Sequence, residues 1–149
     1  MRDQDILAAA RETFLVEAAD LLSELESSLL SLAEEPDPDA VNAAFRAAHT
    51  IKGSAGLFGL DAVVSFTHDV EAMLEQLRSG QSPVTDATVT LLLECRDQIE
   101  RLLASQPDTE QHQETLSESE RLQRLLRRAR QGTDLTDLEA EEAMTVIMT

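Results

Sequence analysis

Residues 36–61 read PDPDAVNAAFRAAHTIKGSAGLFGLD, and their pattern decides the fold. Pro36 and Pro38 cannot occupy a helix interior, because proline lacks the amide donor and clashes with the preceding turn. Asp37 before Pro38 is a cap followed by a first-turn residue. From there Val41, Ala44, Phe45, Ala48, Ile51, Ala55 and Phe58 recur three and four residues apart, which is one face of a helix. Gly59 suits the left-handed residue just past a helix end. The stretch therefore predicts a helix over 38–58, stopped sharply on both sides. Sharp stops leave short connections, and short connections make neighbouring amphipathic helices antiparallel.

The rest of the chain repeats that pattern. Before the prolines, Leu7, Phe14, Ala18, Leu21, Leu22, Leu25, Leu29 and Leu32 form an apolar stripe on a long helix over about 3–33. After Gly59, Val63, Phe66, Val70, Met73, Leu74 and Leu77 predict a third helix over about 61–79, stopped at Gly80. Thr85 is a candidate cap for a fourth, over about 86–105, with Leu92, Cys95, Ile99 and Leu102 inward. Pro107 to Leu116 is polar and reads as a loop. Ser117 to Glu120, SESE, fits a capping box and starts a short fifth helix over about 118–131. Arg124, Arg127, Arg128 and Arg130 near its end suit the helix dipole. The expected fold is all-α: an antiparallel up-down four-helix bundle with a short fifth helix on its end or side. One domain covers 1–131, and 132–149 reads as an acidic linker or tail.

The chain has 149 residues and a net charge of −17. So acidic a surface argues against nucleic acid or an anionic membrane as partner. A single cysteine, Cys95, gives no disulfide framework and no zinc cluster, and no metal site is expected. No secretory signal and no apolar run of about 18 residues is present, so a cytoplasmic location is expected. No phosphate-binding loop or nucleophilic triad is found, so the chain is not expected to be an enzyme by itself.

The chemistry lies on the second helix. On a helical wheel His49 stands about 120° from the centre of the apolar stripe. Gly53 and Gly56 fall on the same side, so the surface beyond the imidazole is bare of side chains. Glycine in a helix costs about 1 kcal/mol relative to alanine, and here it lowers the surface for the approach of another backbone. An imidazole in water titrates at about 6.5, so much of it is a neutral nucleophile at pH 7. Lys52, three residues on, is placed to neutralise a phosphoryl group on that ring. The third helix carries His68 and Glu71 outside its apolar stripe. If it is an antiparallel neighbour of the second helix, Glu71 can lie at the level of His49, which periodicity allows but does not decide.

The run FRAAHTIKGSAGLFG resembles the phosphorylation motif of histidine phosphotransfer (HPt) domains, in particular the P1 domains of CheA-type chemotaxis kinases. The resemblance continues through THDVEAMLEQLRSG and weakens after about Ser105. It implies that His49 is phosphorylated on the ring nitrogen away from the backbone side. It also implies that Glu71 orients the ring, that Lys52 meets the phosphoryl charge, and that His68 joins the same polar network. Gly53, Gly56, Ser54 and Phe45 are the expected partner-facing residues. The implied donor is an ATP-bound CheA-type kinase domain. The implied acceptor is an aspartate of a CheY- or CheB-type receiver domain. ATP and Mg²⁺ would belong to those partner domains, and no cofactor is expected here.

Two other functions fit parts of the pattern. A metal-carrying bundle wants Glu-x-x-His on paired helices, whereas His68-Asp-Val-Glu71 has the reverse order. A pure interaction bundle would make His49 an ordinary surface residue. His112, in the expected loop, has no assigned role, and Cys95 is expected in the core as a small hydrophobe.

Overall fold

The structure is a computed structural model and describes residues 2–105 and 109–132. Those residues form five helices: α1 (Asp3–Glu34), α2 (Pro38–Leu57), α3 (Asp61–Arg78), α4 (Asp86–Ala104) and α5 (Glu110–Arg130). No strand occurs among them. Of the expected tail, 132–149, residues 133–149 lie outside the described residues.

The helix ends follow the sequence signals. The Asp37 carboxylate accepts the Asp39 amide at 3.0 Å, and Thr85 Oγ1 accepts the Thr88 amide at 3.1 Å. Gly59 takes φ +66°, where a side chain would be strained. The chain can then turn within three residues from α2 into α3.

The helices α1 to α4 close into a ring in which each packs on the next and α4 returns to α1. The seam holds Leu25, Leu29, Ile51, Phe66, Met73, Leu74, Leu92 and Ile99, all essentially inaccessible to water. Burying such a side chain contributes about 1.5–3 kcal/mol, and no single one dominates the core.

Three expectations are corrected. Leu7 is not in the core but 60% exposed, as is the whole of α1 before Phe14. The reason is length: 32 residues at about 1.5 Å each make α1 some 18 Å longer than the 20-residue α2. Phe14 already stacks on Phe58 at the end of α2, ring centroids 5.4 Å apart. The turns before Phe14 therefore run past the bundle.

The second correction is α5. It starts at Glu110, not near Glu118, and is as long as the bundle helices. Its cap is Thr109, whose Oγ1 accepts the His112 amide at 3.0 Å, so the SESE run lies inside the helix. Polarity is not a loop signal by itself, since Gln and Glu are good helix formers. Of the two expected places, end or side, α5 takes the side: it lies along α3 and α4. Gln98 of α4 is fully buried beneath it and donates to the Thr115 carbonyl (2.6 Å) and the Ser119 hydroxyl (2.8 Å). The third is partial: Phe45, expected in the core stripe and also as a partner-facing residue, packs against the core but is only half-buried, on the flank that carries His49.

Candidate phosphotransfer site

The antiparallel packing of α2 and α3 brings together residues that are far apart in the chain. His49 Nδ1 lies 2.8 Å from Glu71 Oε2, and Lys52 Nζ lies 3.0 Å from Glu71 Oε1. One carboxylate thus spans two side chains that stand one turn apart on α2. Glu71 and Lys52 are largely shielded, with 15% and 22% of their side chains exposed, whereas 61% of His49 is exposed. The reactive ring is the part left in water.

The charges explain the pairing. Burial by itself would raise the Glu71 carboxyl, but the hydrogen bonds from His49 and Lys52 and the Lys52 charge outweigh it. The carboxyl is held below its ordinary range. A carboxylate can only accept, so Nδ1 carries the proton. In the neutral ring that leaves the lone pair on Nε2, which makes no hydrogen bond to the described residues. The carboxylate thus selects the tautomer and anchors the ring. The arrangement is a shielded ion pair of Glu71 and Lys52 presenting one exposed, oriented nucleophile.

Around it, the glycines are not needed for packing. A Cβ at Gly53 would meet nothing within 4 Å, and one at Gly56 only Val64 at 3.9 Å. The ground beside His49 is open, and Leu57, two turns on, is 84% exposed.

Not every expected residue joins. His68 is exposed, and among the described residues no hydrogen bond or ion pair links it to His49, Lys52 or Glu71. The register puts it level with Gly53, where α2 has no side chain to meet it, and both Glu71 oxygens are already engaged. Ser54 is half-buried on the other flank of α2, more than 90° round the helix from His49. His112, expected inert in a loop, is in the first turn of α5. Its Nδ1 lies 2.9 Å from Ser105 Oγ, tying the end of α4 to the start of α5. Cys95 is fully buried, which pushes its thiol well above the usual range. Arg78 is not among the residues that the sequence singles out. Its guanidinium lies over the Phe45 ring, 4.3 Å from the centroid. The hairpin register carries the signal for it. Once Glu71 faces His49 and Lys52, Arg78 must reach the level of Phe45.

The pattern of the Hpt domain family matches residues 9–105, which hold this whole site. The chain belongs to the Hpt domain family. Members of this family are phosphotransfer modules. The chain is similar to the chemotaxis protein CheA of Salmonella typhimurium, with 39% identity over 101 residues, 67% of this chain and 15% of that protein. It is 44% identical over 88 residues to CheA of Rhizobium meliloti, covering 58% of this chain and 12% of the relative. Among solved structures it is similar to the phosphorylated P1 domain of CheA3 in complex with CheY6 from R. sphaeroides. That match has a TM-score of 0.65 and 30% identity, and covers 80% of this chain and 96% of the other. The chain thus spans less than a fifth of the length of these curated relatives, and close to all of the P1 domain. The match to the family pattern stops at residue 105, before α5. No helix among the described residues is long and apolar enough to cross a membrane.

Proposed function

We propose that this Hpt domain carries phosphate between a CheA-type kinase domain and a receiver domain of the CheY or CheB type, with His49 as the carrier. Nε2 attacks the γ-phosphorus of ATP held, with its Mg²⁺, in the kinase domain. The P–N bond forms as the bond to the bridging oxygen breaks, and ADP leaves. The Nδ1 proton stays in its hydrogen bond to Glu71, which stabilises the positive charge that develops on the ring. Lys52 offers an ammonium near the transferred oxygens. A receiver aspartate then attacks the phosphorus, the P–N bond breaks, and the neutral imidazole returns. Phosphoryl transfer needs chiefly positioning and charge stabilisation, which Glu71 and Lys52 would supply while ATP stays in the kinase domain.

The observation that carries the reading is the 2.8 Å contact of Nδ1 with Glu71, which leaves Nε2 free on a ring 61% exposed. The low surface at Gly53 and Gly56 gives a partner room to approach. Exposed Leu57 offers such a partner an apolar contact. The relatives are several times longer, which supports a CheA-type protein-histidine kinase as the parent. A metal-bundle function is disfavoured because both Glu71 oxygens are committed to His49 and Lys52.

The test is labelling. The chain is incubated with a CheA-type kinase core and γ-labelled ATP, then with a receiver. Acid-labile label that is absent from His49→Gln and moves to the receiver is the expected result. No label with a competent core overturns the proposal.

A further inference from the structure

Phe45 lies one turn before His49 on the same flank of α2. Its ring is nearly parallel to the imidazole, with 8° between the planes and 6.0 Å between centroids. The Arg78 guanidinium, from the last turn of α3, lies over the Phe45 ring, 4.3 Å from its centroid. Arg78 is in turn held by Glu75 at 2.6 Å. Arg78 comes two turns after Glu71, and α3 runs antiparallel to α2. It therefore stands at the level of Phe45. Arg78, Phe45 and His49 thus form one row along the groove between the two helices, with Glu75 paired to Arg78.

That row supplies a constraint that Glu71 does not. A ring hydrogen-bonded through one nitrogen can still turn about that bond, and turning swings the Nε2 lone pair away from an incoming phosphorus. A flat neighbour restricts the turn. Phe45 is itself only half-buried, so its plane needs a second support. A cation over an aromatic face is such a support, attracted by the ring quadrupole and worth more for a planar guanidinium that can stack.

We propose that Arg78 is a positioning residue for phosphoryl transfer at His49, acting by holding the Phe45 ring flat against the imidazole. The role rests on the phosphotransfer reading above. Arg78 contacts neither Glu71 nor Lys52 in the hydrogen-bonding set, and its half-exposed side chain is not part of the core. Its effect belongs to the transfer step rather than to docking, because it acts on ring orientation after the partner is in place.

The experiment uses the full 149-residue chain as substrate of a CheA-type kinase core, at varied concentration so that kcat and KM separate. Arg78→Ala is expected to lower kcat about threefold, the strength of a partly exposed cation–π contact, with KM unchanged. Arg78→Lys, which keeps a cation over the ring, is expected to recover most of the loss. The His49 ring-proton resonances are expected to shift in Arg78→Ala and to return toward wild type in Arg78→Lys. Phe45→Leu keeps apolar bulk but removes the flat face, so adding Arg78→Ala to it should change kcat no further.

Wild-type kcat in Arg78→Ala overturns the proposal, as does a loss confined to KM. Independent, additive effects of the Phe45 and Arg78 substitutions overturn it as well. Wild-type protein that takes no label overturns the phosphotransfer reading itself, a result distinct from these.

Discussion

His49 Nδ1 and Glu71 Oε2 meet at 2.8 Å although 22 residues separate them in the chain. The contact joins two helices and leaves the other ring nitrogen in solvent. It sets the tautomer of the imidazole and anchors one of its ring nitrogens. Glu71→Ala is therefore expected to slow phosphorylation of His49 by about 10–100-fold, the usual cost of losing an orienting carboxylate. The fold should persist, since neither side chain belongs to the apolar seam. Labelling rates and thermal unfolding of the same samples check both halves, and an unchanged rate would remove Glu71 from the mechanism.

The same carboxylate predicts a pH dependence. Its pKa in the folded chain is depressed, so the network adds stability at pH values above the ordinary carboxyl range. That stability is lost as pH falls through the lower, folded value. Lys52→Met removes one hydrogen bond and one positive charge but leaves the burial. The Glu71 titration should then move upward. Carboxyl carbon shifts followed by NMR through acid pH would show it, and a midpoint that does not move would mean that Lys52 does not hold the group.

Gly53 separates the needs of the fold from those of a partner. A Cβ there meets nothing within 4 Å, so Gly53→Ala should stabilise α2 by up to about 1 kcal/mol, the helix propensity difference. That corresponds to a rise of roughly 2–5 °C in Tm for a domain of this size. A bulky Gly53→Leu should instead slow transfer from phosphorylated His49 to a receiver while leaving the helix content unchanged. Wild-type transfer in Gly53→Leu would show that no partner passes over this ground.

Gln98 tests the far side. Gln98→Leu takes away both hydrogen bonds to α5 and leaves the buried Ser119 hydroxyl without its donor. The cost should be about 1–3 kcal/mol, measured by denaturant unfolding. Since α5 packs on α3 and α4 and not on α2, phosphorylation of His49 should proceed at the wild-type rate. A slowed rate would show that α5 supports the site through α3.

Much of this is legible in the sequence. Periodicity locates the seam residues of α2, α3 and α4 because burial against one partner face demands three- and four-residue spacing. Asp37, Thr85 and Gly59 mark helix ends because their side chains, or the lack of one, solve a local backbone problem. The polar start of α5 reads wrongly as a loop because solvent-facing helix turns and loops share a composition. Gln98 is unreadable for the same kind of reason: its burial depends on a helix that arrives from elsewhere.

By itself, then, the sequence determined the helices, their order, and the exposed flank with His49, Lys52 and the two glycines, since each follows from spacing within one helix. Only the tertiary structure decided which carboxylate meets the imidazole. It joined Glu71 to His49 and Lys52, left His68 level with the bare Gly53, and set Arg78 over Phe45. Those choices depend on the register of α2 against α3. Register is fixed by the Gly59 turn and by packing along the whole seam, and no single helix contains that information.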